Sequence, residues 1–268
     1  MTIIEKCSIS KKNKPLENED MVYYNDDFCV VIDGATSKNQ ELVSGKTGGR
    51  KSAELIIELF ENNKISKYDP ADTVIKIIRD RFDDFSRKNK LSLRNIHLCA
   101  SVLVFSNNFK QIWSVGDCQY SINGEKFVEI KKIDQLFSEV RSVLIRCLIK
   151  SGYNEKELLE KDISRIHLEK MLLLQQSLEN SNDVYGYSVL SCEGETPKVS
   201  ITNVEKGDEI VMATDGYPFL CNTLDESETE LDRVINEDPL MYKIVKSTKG
   251  VYAGNISFDD RSYIRFRV

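Results

Sequence analysis

The chain has only two histidines, His97 and His167, in 268 residues. They stand far apart, so a zinc site of the H-E-x-x-H kind is excluded and a histidine-based triad has very few candidates. No apolar run approaches the ~18 residues that a bilayer-spanning helix needs. Met1 to Lys14 lacks the apolar centre of a signal peptide, so no membrane is expected and the expected compartment is the cytoplasm. There is no C-x-x-C pair either. The seven cysteines are scattered, most in apolar or strand-like contexts where a thiol behaves as a small hydrophobe. A basic stripe with interleaved aromatics is missing and the formal net charge is −6, so nucleic acid is not an expected partner. Repeats, low-complexity tracts and dividing linkers are lacking too, which leaves one domain over residues 1–268 as the expectation.

What is present, 41% hydrophobic and 30% charged residues, is the composition of a soluble globular protein with a substantial core. Strands are expected at Thr2–Ser8, Met21–Tyr24 and from Phe28, with Asn25-Asp26-Asp27 as a hairpin turn. Helices are expected over about Arg50–Glu61 and Ala71–Arg87. There Ala53, Ile56, Ile57 and Phe60, then Val74, Ile77, Ile78, Phe82 and Phe85, share a face. Strands at Leu98–Phe105, Gln111–Val115, Gln119–Ile122 and Lys126–Ile130 follow, joined by short turns that imply antiparallel pairing. Residues 134–181 switch to a helical period. Leu136, Val140, Val143, Leu144, Cys147 and Leu148 suit one helix, and Ile163, Ile166, Met171, Leu174 and Leu178 another. Strand signals return at Tyr187–Ser191, Lys198–Val204 and Glu209–Ala213. Helices are then expected at Asp225–Asn236 and Pro239–Lys246, before a closing strand at Arg261–Val268. Strand runs alternating with helix pairs indicate an α+β fold.

The run Phe28-Cys29-Val30-Val31-Ile32 reads as a strand buried on both faces, and it ends on Asp33-Gly34. A charge directly after a buried strand is costly unless something neutralises it. The construction recurs. Ile112 to Gly116 ends at Asp117, Ile210 to Thr214 ends at Asp215-Gly216, Ile256-Ser257-Phe258 runs into Asp259-Asp260, and Glu19-Asp20 opens a strand. Each acid alone is equally an ordinary turn residue. If antiparallel strands gather these ends, however, the carboxylates raise one another's pKa, and a divalent cation removes the repulsion. An all-oxygen set without His or Cys selects magnesium or manganese. Several acids around one spot suggest two ions, which suit hydrolysis of a phosphate ester.

Glu19-Asp20, Val31-Ile32-Asp33-Gly34-Ala35-Thr36, Val115-Gly116-Asp117, Ala213-Thr214-Asp215-Gly216 and Phe258-Asp259-Asp260-Arg261-Ser262 occur in that order. Together they resemble the successive motifs of the type-2C metal-dependent serine/threonine protein phosphatases, from residue 19 to 262. The resemblance implies a four-layer αββα sandwich of two stacked antiparallel sheets flanked by helix pairs. It implies that the chain hydrolyses phosphoserine or phosphothreonine in a phosphoprotein substrate, without a phosphoenzyme. Asp33 would bridge two Mn2+ or Mg2+ ions, with Glu19 and the Gly34 carbonyl completing one site and Asp215 and Asp259 holding the other. Asp20 and Asp260 would orient the ligands. Asp117 matches the position that helps bind a possible third ion.

The match also departs from the family pattern. Pro15 stands where many members have a phosphate-binding arginine, so Lys14 or Lys12 is the candidate substitute, although lysine lacks the bidentate fork. Lys46 or Arg50, at the start of the first helix, is another candidate. Gly45-Lys46-Thr47 is expected to be a flexible loop rather than a nucleotide-binding one, since Gln40 stands where that motif needs its first glycine. Ala35 replaces a histidine that some members have after the Asp-Gly, and Asp117-Cys118-Gln119 lacks the usual basic residue. Residues 134–181 stand where the family has a variable flap, and would either select substrate or partner or simply pack. His97 reads as structural, Cys118 as inert and Asp83-Asp84 as a solvated helix face. Two other functions stay open: a catalytically weak family member serving as a regulatory or protein-binding module, and a phosphoesterase for small molecules.

Overall fold

Thr2–Ile9 alternates between exposed and half-buried side chains, as a strand with one face against a core must. In chain order the strands are β1 (Thr2–Ile9), β2 (Met21–Tyr24), β3 (Phe28–Gly34), β4 (Cys99–Ser106), β5 (Gln111–Val115), β6 (Gln119–Ile122), β7 (Glu125–Val128), β8 (Leu190–Ser191), β9 (Ser200–Asn203), β10 (Glu209–Ala213) and β11 (Arg261–Arg267). The helices are α1 (Gly48–Glu61), α2 (Ala71–Asn89), α3 (Lys132–Lys150), α4 (Glu155–Glu160), α5 (Ile163–Leu174) and α6 (Leu224–Glu237). This computed structural model describes residues 1–35, 41–91 and 96–268, so Thr36 of the Asp-Gly motif and Gln40 lie outside the described residues. Most elements begin and end within two residues of expectation. The expected strand Tyr187–Ser191 is shorter, reduced to Leu190–Ser191.

One sheet has the order β1-β11-β10-β6-β7 and the other β2-β3-β4-β5-β9, with β8 also pairing β4. Neighbouring strands in both are antiparallel. Strands β3 and β4 are apolar throughout because each covers two cores. Phe28, Val30, Ile32, Val102 and Val104 pack against Leu55, Ile56 and Val74 of α1 and α2. The alternate residues Cys29, Val31, Leu103 and Phe105 meet Ile210, Met212, Ile264 and Phe266 of the facing sheet. The far side of that sheet, through Val211, Ala213 and Tyr263, packs on Leu231 and Val234 of α6 together with Met241 and Phe258. The result is an α+β, four-layer αββα sandwich.

Two expectations need correction. Residues 239–246 form no helix. The Asp238 carboxylate accepts the backbone N–H groups of Tyr242, Lys243 and Ile244 at 2.9, 2.6 and 2.8 Å, closing a turn instead. Met241 sits at φ 50°, a left-handed conformation that a right-handed helix cannot contain. The outer face of that sheet is therefore covered by one helix and an ordered coil.

The second correction concerns α3 and α5 in the 134–181 segment. Both are helical, and Val140, Leu144, Leu148, Ile163 and Leu178 of the expected stripes pack against core residues, but Val143 is 58% exposed and Leu174 72%. The buried side of α3 is Ile133, Phe137, Arg141 and Ile145. A charged residue lies in the middle of that stripe, so hydrophobicity alone marks its edge and not its centre. Among the described residues no helix is long and apolar enough to cross a membrane.

Candidate active site

Antiparallel pairing brings the acidic strand ends to one end of the sandwich. Asp33 follows Cys29 and Val31 at the two-residue spacing of the inter-sheet face. The register Met21↔Ile32 sets Asp20 next to the end of β3. Ala213 pairs with both Tyr263 and Gln119, so Asp215, the Asp259-Asp260 pair and Asp117 meet at the same end. Ser101, paired with Asp33, donates its hydroxyl to Asp117 Oδ1 at 2.6 Å. Asp33, Asp117, Asp215 and Asp259 all line one cavity of about 430 Å³.

The glycines after two of these acids permit backbone-to-backbone packing. A Cβ on Gly34 would lie 2.3 Å from the Gly49 carbonyl oxygen and 2.7 Å from that of Glu19, and one on Gly216 would lie 2.0 Å from the Asp260 oxygen. Backbone would have to move in each case. Gly34→Ala is therefore expected to cost about 1–3 kcal/mol, seen as a lowered thermal midpoint. An unchanged midpoint would show that the two segments are not in contact.

The charges at this end fall into two groups. Lys131 Nζ lies 2.9 Å from Asp117 Oδ2. Burial opposes ionisation of Asp117, but Lys131 and the Ser101 hydroxyl outweigh it and hold the carboxyl below the ordinary range. Asp259 is paired twice, with Lys249 at Oδ2 and with Lys11 at 3.1 Å from Oδ1. These two cations overcome the same burial and keep Asp259 well below the usual range. Asp33 and Asp215 behave in the opposite way. Burial first, then neighbouring carboxylates, pushes both well above the ordinary range: Asp20, Asp117 and Asp259 act on Asp33, and Asp33, Asp117 and Asp259 on Asp215. Asp20 is raised for the same reasons, and its Oδ2 is buried with no hydrogen-bond partner among the described residues. An all-oxygen donor set with surplus buried negative charge fits a hard divalent cation. The fit is best at Asp33 and Asp215, because lysines already neutralise Asp259 and Asp117.

The remaining residues singled out from the sequence are distributed as follows. Glu19 is buried and does not line the cavity; its Oε1 accepts the Thr47 hydroxyl at 2.6 Å and Lys11 stands 3.7 Å from its Oε2. The Gly34 carbonyl faces Gly49, at which any Cβ would come within 2.6 Å of it. Asp260 is a clamp: its carboxylate accepts the N–H groups of Lys11 at 2.8 Å and Glu19 at 3.1 Å, tying β1 and the entry to β2 to the start of β11. The phosphate candidates Lys14 and Lys46 do not line the cavity. Lys14 and Lys12 both pair with Glu17, and Lys46 pairs with Glu54, so each is already engaged on the surface. Arg50 is likewise occupied, bonded to Glu54 and to the carbonyls of Pro15 and Asn18. Among the described residues, the cations paired with the site's carboxylates are Lys11, Lys131 and Lys249, none of which stands in a motif, and Lys246 also lines the cavity. Only the β1–β11 register, with Ile9 opposite Arg261, could have pointed to Lys11.

No protein-family model matches the sequence, and no curated protein matches it. Solved structures do. Stp1 from Staphylococcus aureus, a serine/threonine phosphatase, matches with 12% identity over 100% of this chain and 95% of that one, at a TM-score of 0.52. The Mycobacterium tuberculosis serine/threonine phosphatase PstP matches with 14% identity over 99% of this chain and 98% of that one, at a TM-score of 0.51. The catalytic domain of PstP in complex with 2 manganese ions matches with 12% identity over the full length of both chains, again at 0.51. The chain, with its two packed antiparallel sheets and helices on their outer faces, thus has the fold of these serine/threonine phosphatases.

Proposed function

We propose that this chain is a manganese- or magnesium-dependent phosphatase that hydrolyses phosphoserine and phosphothreonine in cytoplasmic proteins. The observation that carries the reading is the convergence of Asp33, Asp117, Asp215 and Asp259 on one cavity, with Asp33 and Asp215 pushed far above the ordinary carboxyl range. Likeness to a phosphatase domain that binds manganese supports it. Asp33, Glu19 and the Gly34 carbonyl would hold one ion once Glu19 gives up Thr47 and Lys11, and Asp33, Asp215 and Asp259 the second, with Asp117 at a possible third, once the lysines on Asp259 and Asp117 give way. Bound there, the ions supply Lewis acidity and an acidic water at neutral pH. The chain's own groups do the rest. Asp260 fixes the backbone around Glu19, and Ser101 orients Asp117. Lys131 and Lys249 line the cavity and present positive charge to a phosphate dianion. Asp134, Gln135 and Gln175, from the 134–181 segment, wall the same cavity, which supports a flap that limits which phosphorylated segment enters.

A second reading, a binding module with little or no turnover, draws support from the two lysines on Asp259, which neutralise it without metal. One set of assays separates the two. Purified protein is expected to release phosphate from phosphoserine and phosphothreonine peptides with Mn2+, to fall to the uncatalysed level after chelation, and to recover when the metal is restored. Turnover of an aryl phosphate but of no phosphopeptide would make it a small-molecule phosphoesterase. Absence of metal-dependent turnover on either would leave the binding module.

A further inference from the structure

We propose that His97, Cys99 and Glu179 form a binding site for one thiophilic divalent ion, zinc by its donor chemistry, in the cavity wall and separate from the carboxylate cluster. His97 and Cys99 lie two apart in extended backbone at the entry to β4, so their side chains share a face. Glu179 comes from the far end of the helical segment, just beyond α5. His97 Nε2 stands 2.9 and 3.0 Å from the two Glu179 oxygens, and Cys99 Sγ lies 4.0 Å from Oε1. All three donor atoms fall within 4.8 Å of one another. A tetrahedral zinc with bonds of ~2.0–2.3 Å sets its ligand atoms roughly 3.3–3.6 Å apart, a spacing that lies inside the observed range.

The donor set explains the selectivity. Nitrogen, sulfur and one carboxylate favour zinc over magnesium or manganese, whereas the all-oxygen cluster lining the same cavity has the reverse preference. Glu179 and Cys99 are buried, and the cavity that His97, Cys99 and Glu179 line leaves the fourth position to water. On binding, the Cys99 thiol gives its proton to solvent and coordinates as thiolate. The ion then ties the end of the 134–181 segment to the start of β4. Without an ion the same groups are a buried histidine–glutamate pair beside a small apolar thiol, and that is the alternative to be tested.

Cobalt(II) is the probe, titrated into the metal-free full-length protein. The expected result is a near-ultraviolet thiolate-to-cobalt charge-transfer band with intense tetrahedral d–d bands, saturating at one equivalent and bleached by zinc. Cys99→Ser abolishes the charge-transfer band, and Cys147→Ser, which removes an exposed thiol, leaves it. Glu179→Gln keeps the side-chain shape and weakens cobalt binding at least ~10-fold, which tests the site even if Cys99→Ser fails to fold. Asp215→Asn leaves the band in place, separating this site from the carboxylate cluster. No charge-transfer band in the native protein, a band that survives Cys99→Ser, or affinity unchanged in Glu179→Gln would each overturn the proposal.

Discussion

Asp215→Asn will abolish metal-dependent phosphate release and, in the same protein stripped of metal, raise the thermal midpoint. Both effects come from one carboxylate. As a ligand in the proposed metal site, Asp215 would contribute to several kcal/mol of charge stabilisation in the reaction, and ~4 kcal/mol is already about 10³-fold in rate. Without metal, the same charge is a burden, because burial and the carboxylates of Asp33, Asp117 and Asp259 all oppose its ionisation. The sign follows from linkage. A carboxyl whose folded pKa is raised destabilises the fold as pH climbs past the ordinary value of about 3.9, and the loss is complete only above the raised value. The midpoint gained by the variant is therefore near zero only below about pH 3.9 and grows with pH in metal-free buffer until the raised value is passed. Asp259 works in the opposite direction. Its pKa is held down by Lys249 and Lys11, so its stabilisation is lost only as pH falls through that lowered value. Asp259→Asn should lower the metal-free midpoint at neutral pH, where Asp215→Asn raises it. Thermal melts of both variants across pH, with and without chelator, decide the matter. A metal-free Asp215→Asn protein that melts below the native one would mean that Asp215 is already neutralised.

The acids were legible in the sequence because a carboxylate after a buried strand breaks a strong pattern. Asp33, Asp117 and Asp215 each end a run whose apolar character is dictated by burial, and antiparallel pairing then gathers those ends without further information. The cations were not legible for the converse reason. Lys11, Lys131 and Lys249 sit in coil or at a helix start, among 37 lysines and arginines of which most are exposed, and nothing local distinguishes them. Lys14 and Lys46 are candidates only by their nearness in sequence to Glu19 and to the start of α1. In space, nearby glutamates hold them. The centre of the buried side of α3 is not legible because burial there is decided by a tertiary ion pair. His97 reads as structural in an apolar neighbourhood, and its partner Glu179 arrives from 82 positions away.

That tertiary ion pair carries the second large expectation: Arg141→Met will destabilise the protein by about 3–5 kcal/mol and loosen the cavity wall before the sandwich. Arg141 is fully buried. Its Nη2 and Nε reach Asp162 Oδ2 at 2.6 and 3.2 Å, and its Nη1 donates to the carbonyls of Leu240, Ser247 and Met241 at 2.7, 3.1 and 3.3 Å. Removing the guanidinium strands a buried carboxylate and three carbonyls at once, and an unpaired buried charge is the costliest of these. The groups it joins are α3, the N-terminus of α5, which Asp162 caps by accepting from Arg165 N at 2.9 Å, and the coil that runs on to Lys249. Lys249 is the residue paired with Asp259, so the damage should reach the active site. Hydrogen exchange is expected to quicken first in residues 155–174 and 240–249, while β3 and β4, buried on both faces, keep their protection. The double variant Arg141→Met, Asp162→Asn should regain part of the loss, since it removes the orphaned charge and keeps a capping side chain. A loss below ~1 kcal/mol, or exchange that quickens evenly over the whole chain, would show that this pair does not anchor the segment to the site.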